Sequence, residues 1–114
     1  MFIKQKDIQS LSFDGLSIID YTAGRDTQSS FAEITVPPGV RHKVSWSKRS
    51  DKFYYVIQGQ VDFTIGNEKK ILSAGDVCIV PKEVKFFYQN NGPEEAKLIL
   101  VHTPDFQLEH EVFE

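Results

Sequence analysis

Phe53-Tyr54-Tyr55-Val56-Ile57-Gln58-Gly59-Gln60-Val61-Asp62-Phe63-Thr64-Ile65-Gly66-Asn67 decides the fold class. Aromatic and β-branched residues fill its first half, Gly59 interrupts it, and Val61, Phe63 and Ile65 then alternate with Asp62 and Thr64. That period of two is the signature of a half-buried strand. Gly66-Asn67 closes the stretch as a tight hairpin, because both residues tolerate positive φ. The same grammar extends outward in both directions. Leu16–Tyr21, Ser29–Val36, Lys69–Leu72, Val77–Val80, Val84–Gln89 and Lys97–His102 read as further strands. Pro37-Pro38-Gly39, Ala74-Gly75-Asp76, Pro81 and Asn90-Asn91-Gly92-Pro93 separate them, and prolines cannot donate to a ladder. No segment holds helical periodicity over three turns, so the expected fold is all-β, a sandwich or closed barrel.

Composition narrows the function. At 114 residues and 13.0 kDa, residues 1–114 make a single domain. Thirteen basic against sixteen acidic residues, a net charge of −3, supply no field for phosphates, so nucleic acid is not an expected partner. No apolar run approaches the ~20 residues of a membrane span, and Met1 to Asp7 has no signal-like apolar stretch. A cytoplasmic setting is expected, and no membrane partner. The lone Cys78 can form no intrachain disulfide and no zinc cluster. In the apolar run Val77-Cys78-Ile79-Val80 it reads as a small buried hydrophobe.

Two spaced blocks carry a family resemblance. Gly39, five residues, Ser45-Trp46-Ser47, four residues, Lys52, six residues and Gly59 form the first. Gly75, five residues, Pro81-Lys82-Glu83, two residues, Phe86, three residues and Asn90 form the second. Blocks 39–59 and 75–90 resemble those of a small single-domain cupin, whose fold is a double-stranded β-helix, or jelly-roll barrel. Gly39, Gly59, Gly75, Pro81 and Asn90 match that pattern without adjustment. The resemblance also marks four positions where metal-binding cupins place two histidines, a glutamate and a third histidine. Here those positions are Ser45, Ser47, Lys52 and Phe86. Serine is a poor ligand, a phenyl ring has no lone pair, and an ammonium repels a cation. No metal and no cofactor are therefore expected in the barrel.

If those four positions face inward, strand parity adds Lys43, Tyr54, Val56 and Tyr88 to the lumen. Ser45, Ser47, Lys52, Tyr54, Phe86 and Tyr88 are the expected ligand-binding residues. Two readings of Lys52 stand side by side. In one, no nearby anion compensates its ammonium, and it anchors an anionic or sugar-like small molecule. In the other, it pairs with an internal carboxylate or reaches out of the barrel mouth. His42 has the wrong parity and is expected to face away, and Arg41 is expected at the surface. His102 shares the parity of Leu98 and Leu100 and is expected in the core. His110 is expected in solvent. The acidic tail, Phe106 to Glu114, is expected to close a barrel edge or cover a partner.

The resemblance implies a fold and leaves function open between two classes. One is a metal-independent module that binds a small metabolite. The other is a metal-independent sugar isomerase or epimerase, for which His102, Tyr54 and Tyr88 are the weak catalytic candidates. A homodimer is expected, because Phe53, Tyr55 and Ile57, and likewise Ile99 and Val101, put apolar side chains on the second face of their strands.

Overall fold

A computed structural model describes residues Met1–Glu114 and contains eleven strands. They are β1 (Leu11–Phe13), β2 (Leu16–Asp20), β3 (Ser30–Val36), β4 (Ser45–Ser47), β5 (Asp51–Gln58) and β6 (Gln60–Ile65). Then follow β7 (Glu68–Ser73), β8 (Val77–Val80), β9 (Phe86–Gln89), β10 (Ala96–Thr103) and β11 (Glu111–Phe113). Six form one antiparallel sheet in the order β1-β2-β3-β10-β5-β8, and five form the other in the order β11-β4-β9-β6-β7. The all-β jelly-roll expectation is borne out. Three short strands escaped the alternation: β1, β4 and β11 span three residues each. Three residues are too few to show a period of two.

Burial alternates as the patterning requires. Along β10, Ala96, Leu98, Leu100 and His102 point inward, and their partners on β3 and β5 do the same. Ile34, Val36, Val56, Val61, Phe63 and Leu98 lie in the core, each no more than 2% exposed. No helix is long and apolar enough to cross a membrane.

Turn chemistry holds the barrel ends. Gly59 turns β5 into β6 at φ +72°, and a Cβ there would stand 2.7 Å from the Glu95 carbonyl oxygen. Asn90 is fully buried. Its Nδ2 donates to the carbonyls of Val36 (2.9 Å) and Glu94 (2.7 Å), and its Oδ1 accepts from the Gly92 N–H at 2.9 Å. One side chain thus ties the end of β3 to the β9–β10 loop. Glu83 stands where the cupin pattern has glycine and adopts φ +70°, a left-handed conformation that costs a side chain roughly 1–2 kcal/mol. Its N–H bonds the Ser47 carbonyl at 2.7 Å, which holds the strained turn against β4.

Asn90→Ala orphans the buried Val36 carbonyl and removes the partners of the part-buried Glu94 carbonyl and Gly92 N–H. Unmade bonds of this kind cost about 1–3 kcal/mol each. A loss of several kcal/mol by urea unfolding is expected, and one below 1 kcal/mol contradicts the strut role.

Candidate functional site

A cavity of about 290 Å³ opens between the sheets, roughly the small end of the ~300–1,000 Å³ range of ligand sites. Its apolar walls come from Phe13, Leu16, Ile34, Leu100, Phe106 and Phe113, among others. Its polar lining includes Ser12, His42, Lys52, Tyr54, Tyr88, His102 and Glu111.

Lys52 and His102 are cross-strand neighbours on β5 and β10, so both project into the barrel from one sheet. Glu111 comes from β11 on the other sheet. Lys52 Nζ lies 2.5 Å from Glu111 Oε1 and 2.8 Å from His102 Nε2, with both side chains of the ion pair 4% exposed. An ammonium only donates, so His102 Nε2 accepts, and the ring is neutral with its proton on Nδ1. Burial first, and the Lys52 charge second, press the His102 pKa down to about 3. Burial also lowers the Lys52 pKa, while the Glu111 carboxylate opposes that shift. Nζ further lies 5.6 Å from the centre of the Phe86 ring, a weak cation–π contact.

The aromatic wall is one connected stack. His42 lies over Tyr88 with ring centres 4.9 Å apart and 29° between planes, and 5.2 Å from Phe86. Tyr54 meets Tyr88 edge-on at 5.5 Å. Burial raises both tyrosine pKa values, so both keep their protons. Tyr88 Oη is buried with no hydrogen-bond partner in the protein. His42 Nδ1 stands 2.6 Å from the Lys43 carbonyl, an obligate acceptor. Nδ1 therefore carries the proton and Nε2 is the basic nitrogen. Burial lowers the His42 pKa, the Lys43 carbonyl opposes this, and Lys52 adds to it. The ring is neutral at neutral pH.

Several expectations are corrected. His42 is 8% exposed and lines the cavity, because the parity counted back from Ser45 does not survive the break at Lys43-Val44. The His42 N–H bonds the Tyr88 carbonyl at 2.8 Å and Arg41 bridges Gln89, so this segment follows β9 in its own register. Lys43 lies outside, paired with Asp14 at 3.4 Å. Lys52 is not uncompensated: the acidic tail supplies Glu111, so the internal-carboxylate reading holds. Nothing in the local sequence around Lys52 pointed to a residue 59 positions away. Lys52, Tyr54, Phe86, Tyr88 and His102 do line the cavity. Ser45 and Ser47 are buried outside its wall. Ser45 Oγ donates to the Lys43 carbonyl, and Ser47 Oγ accepts from the N–H groups of Arg49 and Ser50. His110 is half-buried in the turn before β11, and Arg41 lies exposed 4.3 Å over the Phe87 ring. Cys78 is half-buried, and burial pushes its thiol up to about 12, an inert state.

The four positions that resemble a cupin metal site do not fit a divalent cation. Two hydroxyls are committed to backbone, one position is an ammonium and one a phenyl ring. No group of three His, Cys, Asp or Glu side chains stands close enough to hold a metal ion.

Residues 32–102 match the cupin domain family. An uncharacterized protein of Methanocaldococcus jannaschii is 26% identical over 85 residues, covering 75% of this chain and 68% of that one. SchB of Streptomyces halstedii is 26% identical over 86 residues, covering 75% of this chain and 62% of SchB. Among solved structures, the nucleoside dehydratase Pac13 of Streptomyces superposes with a TM-score of 0.87 at 20% identity, over 100% of this chain and 90% of its own. Three Pac13 variants, one replacing a histidine by glutamine and two a tyrosine by phenylalanine, were solved with uridine. KdgF from Halomonas sp. superposes with a TM-score of 0.82 at 17% identity, over 96% of both chains. At these identities the structural likeness is one of fold.

Two outcomes follow from the buried charges. Glu111→Gln leaves an unpaired ammonium, and breaking such a pair costs about 3–5 kcal/mol. Lys52→Met combined with Glu111→Leu should recover most of that loss in chemical denaturation. Equal losses in the single and double variants refute the pairing. The second outcome concerns pH. The folded His102 resists protonation down to about 3, whereas the unfolded chain takes a proton near the ordinary 6.5. Stability is therefore full above pH ~6.5 and falls as pH drops toward 3, by up to about 1.4 kcal/mol per pH unit per buried histidine. His102→Asn, which keeps an acceptor for Lys52, should flatten the decline in a series of melts from pH 7 to 4.

Proposed function

The chain belongs to the cupin domain family, and within that fold we propose a metal-independent protein that binds a small, neutral, sugar-bearing molecule and moves one of its protons at His42. The carrying observation is the 2.6 Å bond from His42 Nδ1 to the Lys43 carbonyl, which makes Nε2 a neutral base on the cavity wall. A second supporting feature is the buried, unpartnered Tyr88 hydroxyl beside that ring, a donor for a ligand oxygen.

The charge arrangement favours the sugar-like ligand over the anionic one. Glu111 cancels the Lys52 charge, so the cavity offers an anion no net attraction. Stacked aromatic rings suit the flat or apolar face of a ring, and hydroxyl and imidazole groups suit its hydroxyls. The uridine-bound structures of Pac13 support a nucleoside-like shape, since this cavity also brings one histidine and two tyrosines into contact.

Among proton transfers, the groups present favour one-base chemistry. The accepting nitrogen of His102 is occupied by Lys52, and both tyrosines stay protonated. His42 then takes the proton and returns it to the same molecule or to a departing hydroxyl, as in an isomerisation or a dehydration. A two-base epimerisation has no second base of matching strength.

The test pairs binding with isotope exchange. Uridine and other neutral nucleosides or sugars should raise the melting temperature, while small dicarboxylates should not. One of the neutral ligands should incorporate deuterium from heavy water in a proton NMR assay. His42→Gln should keep the thermal shift and lose at least about a hundredfold in exchange rate. Stabilisation by acids alone overturns the ligand class. Binding without exchange across the panel overturns catalysis in favour of a carrier, and exchange unchanged in His42→Gln overturns the role of that residue.

A further inference from the structure

His42, Tyr54 and Tyr88 line the cavity, yet they are only 8%, 2% and 0% exposed. A molecule the size of a nucleoside must pass a barrier to touch them. The wall is weakest at the seam between β1, the edge of the six-stranded sheet, and β11, the edge of the five-stranded one. No backbone hydrogen bond crosses that seam. Side chains alone close it. The Phe13 ring lies 5.3 Å from that of Phe113 and 6.0 Å from that of His42, and Asp14 pairs with Lys43 at 3.4 Å.

β1 is also lightly held. It pairs only with β2, over three residue pairs, and it buries little: Leu11 and Ser12 are exposed and Phe13 is half-buried. β2 behind it is anchored by Leu16, 1% exposed, and by four pairs to β3. Segments with few buried apolar contacts open at low free energy. Asp14 and Gly15 both take positive φ, +52° and +85°, so a tight turn between the strands supplies a fixed pivot.

We infer that β1 is a strap across the cavity mouth, with Phe13 as its gate and the Asp14–Lys43 pair as its latch, and that it lifts to admit a ligand to His42. Lys43 joins the latch to the base. Its carbonyl accepts from His42 Nδ1 at 2.6 Å, and its ammonium lies 5.9 Å from the centre of the Phe13 ring. Closing the strap therefore covers His42 and steadies the backbone that fixes its tautomer. Both latch side chains are partly exposed, and ion pairs of that kind are weak enough to release. The role of the gate rests on the proposed use of His42, but its motion is measured with no ligand present.

Diethyl pyrocarbonate carbethoxylates neutral imidazole nitrogens, so its rate at His42, mapped by mass spectrometry, reports access. His110 does not line the cavity and is the internal reference. Asp14→Asn removes the latch charge with a residue that tolerates the left-handed turn. It should speed modification of His42 roughly twofold to fivefold, the range of an exposed ion pair. Phe13→Ala should speed it roughly tenfold or more. Leu108→Ala, elsewhere on the rim, should leave it unchanged. Amides of the β1–β2 ladder should exchange at least about tenfold faster than those of the β3–β10 ladder. An unchanged rate in Asp14→Asn overturns the latch. Acceleration by Phe13→Ala alone, with β1–β2 amides as protected as those of β10, makes Phe13 a fixed wall and overturns the strap. Acceleration by Leu108→Ala alone moves the entrance to the turn before β11 and overturns it too. Gated access to His42 with no thermal shift from any neutral ligand supports the strap and retires the proposed function.

Discussion

An ion pair buried between two sheets governs this barrel. Lys52 projects from the six-stranded sheet and Glu111 from the five-stranded one, so their contact joins the two layers through the middle of the cavity. Removing two charges from water costs several kcal/mol per ion, which only close geometry and further hydrogen bonds can offset. Both are present. The second ammonium proton goes to His102, and the Phe86 ring lies near Nζ. The pair also fixes what surrounds it. Glu111 begins β11, which places Phe113 against Phe13 with ring centres 5.3 Å apart and so builds one apolar side of the cavity.

The arrangement separates charge from basicity. The resemblance implies that metal-binding cupins gather three histidines and one glutamate around a cation in the barrel. Here the centre is polar but nearly neutral as a unit, with the charge of Lys52 balanced by Glu111. The free basic nitrogen lies elsewhere, on His42 in the aromatic stack. A neutral imidazole beside a compensated ion pair presents a basic nitrogen without a net charge to attract ions. Affinity in such a site comes from stacking and directed hydrogen bonds.

The sheets were legible in the sequence because they are long and two-faced. β5, β6 and β10 run six to eight residues, enough for inward and outward positions to separate. The inward direction of Lys52, Tyr54, Phe86 and Tyr88 followed from the same parity. His42 was misread because parity is a property of an unbroken strand, and Arg41 is only an isolated bridge before β4. Glu111 was invisible for a different reason. A charge pairs across space, and a carboxylate in an acidic tail looks like any solvated one until topology brings β11 beside β4. Tyr54, Tyr88 and His102 were picked out as chemistry-bearing residues, yet the base with a free nitrogen was the histidine that parity had turned outward.

The separation of 59 positions between Lys52 and Glu111 also sets an order of events during synthesis. At ~5–20 residues per second, the ribosome makes Lys52 roughly 3–12 s before its partner. For most of that interval neither β10, the neighbour of β5 in the finished sheet, nor the carboxylate that compensates Lys52 has been made, so only water can solvate the ammonium. A charge buried without its partner is costly, so closure of the cavity and docking of β11 favour one another.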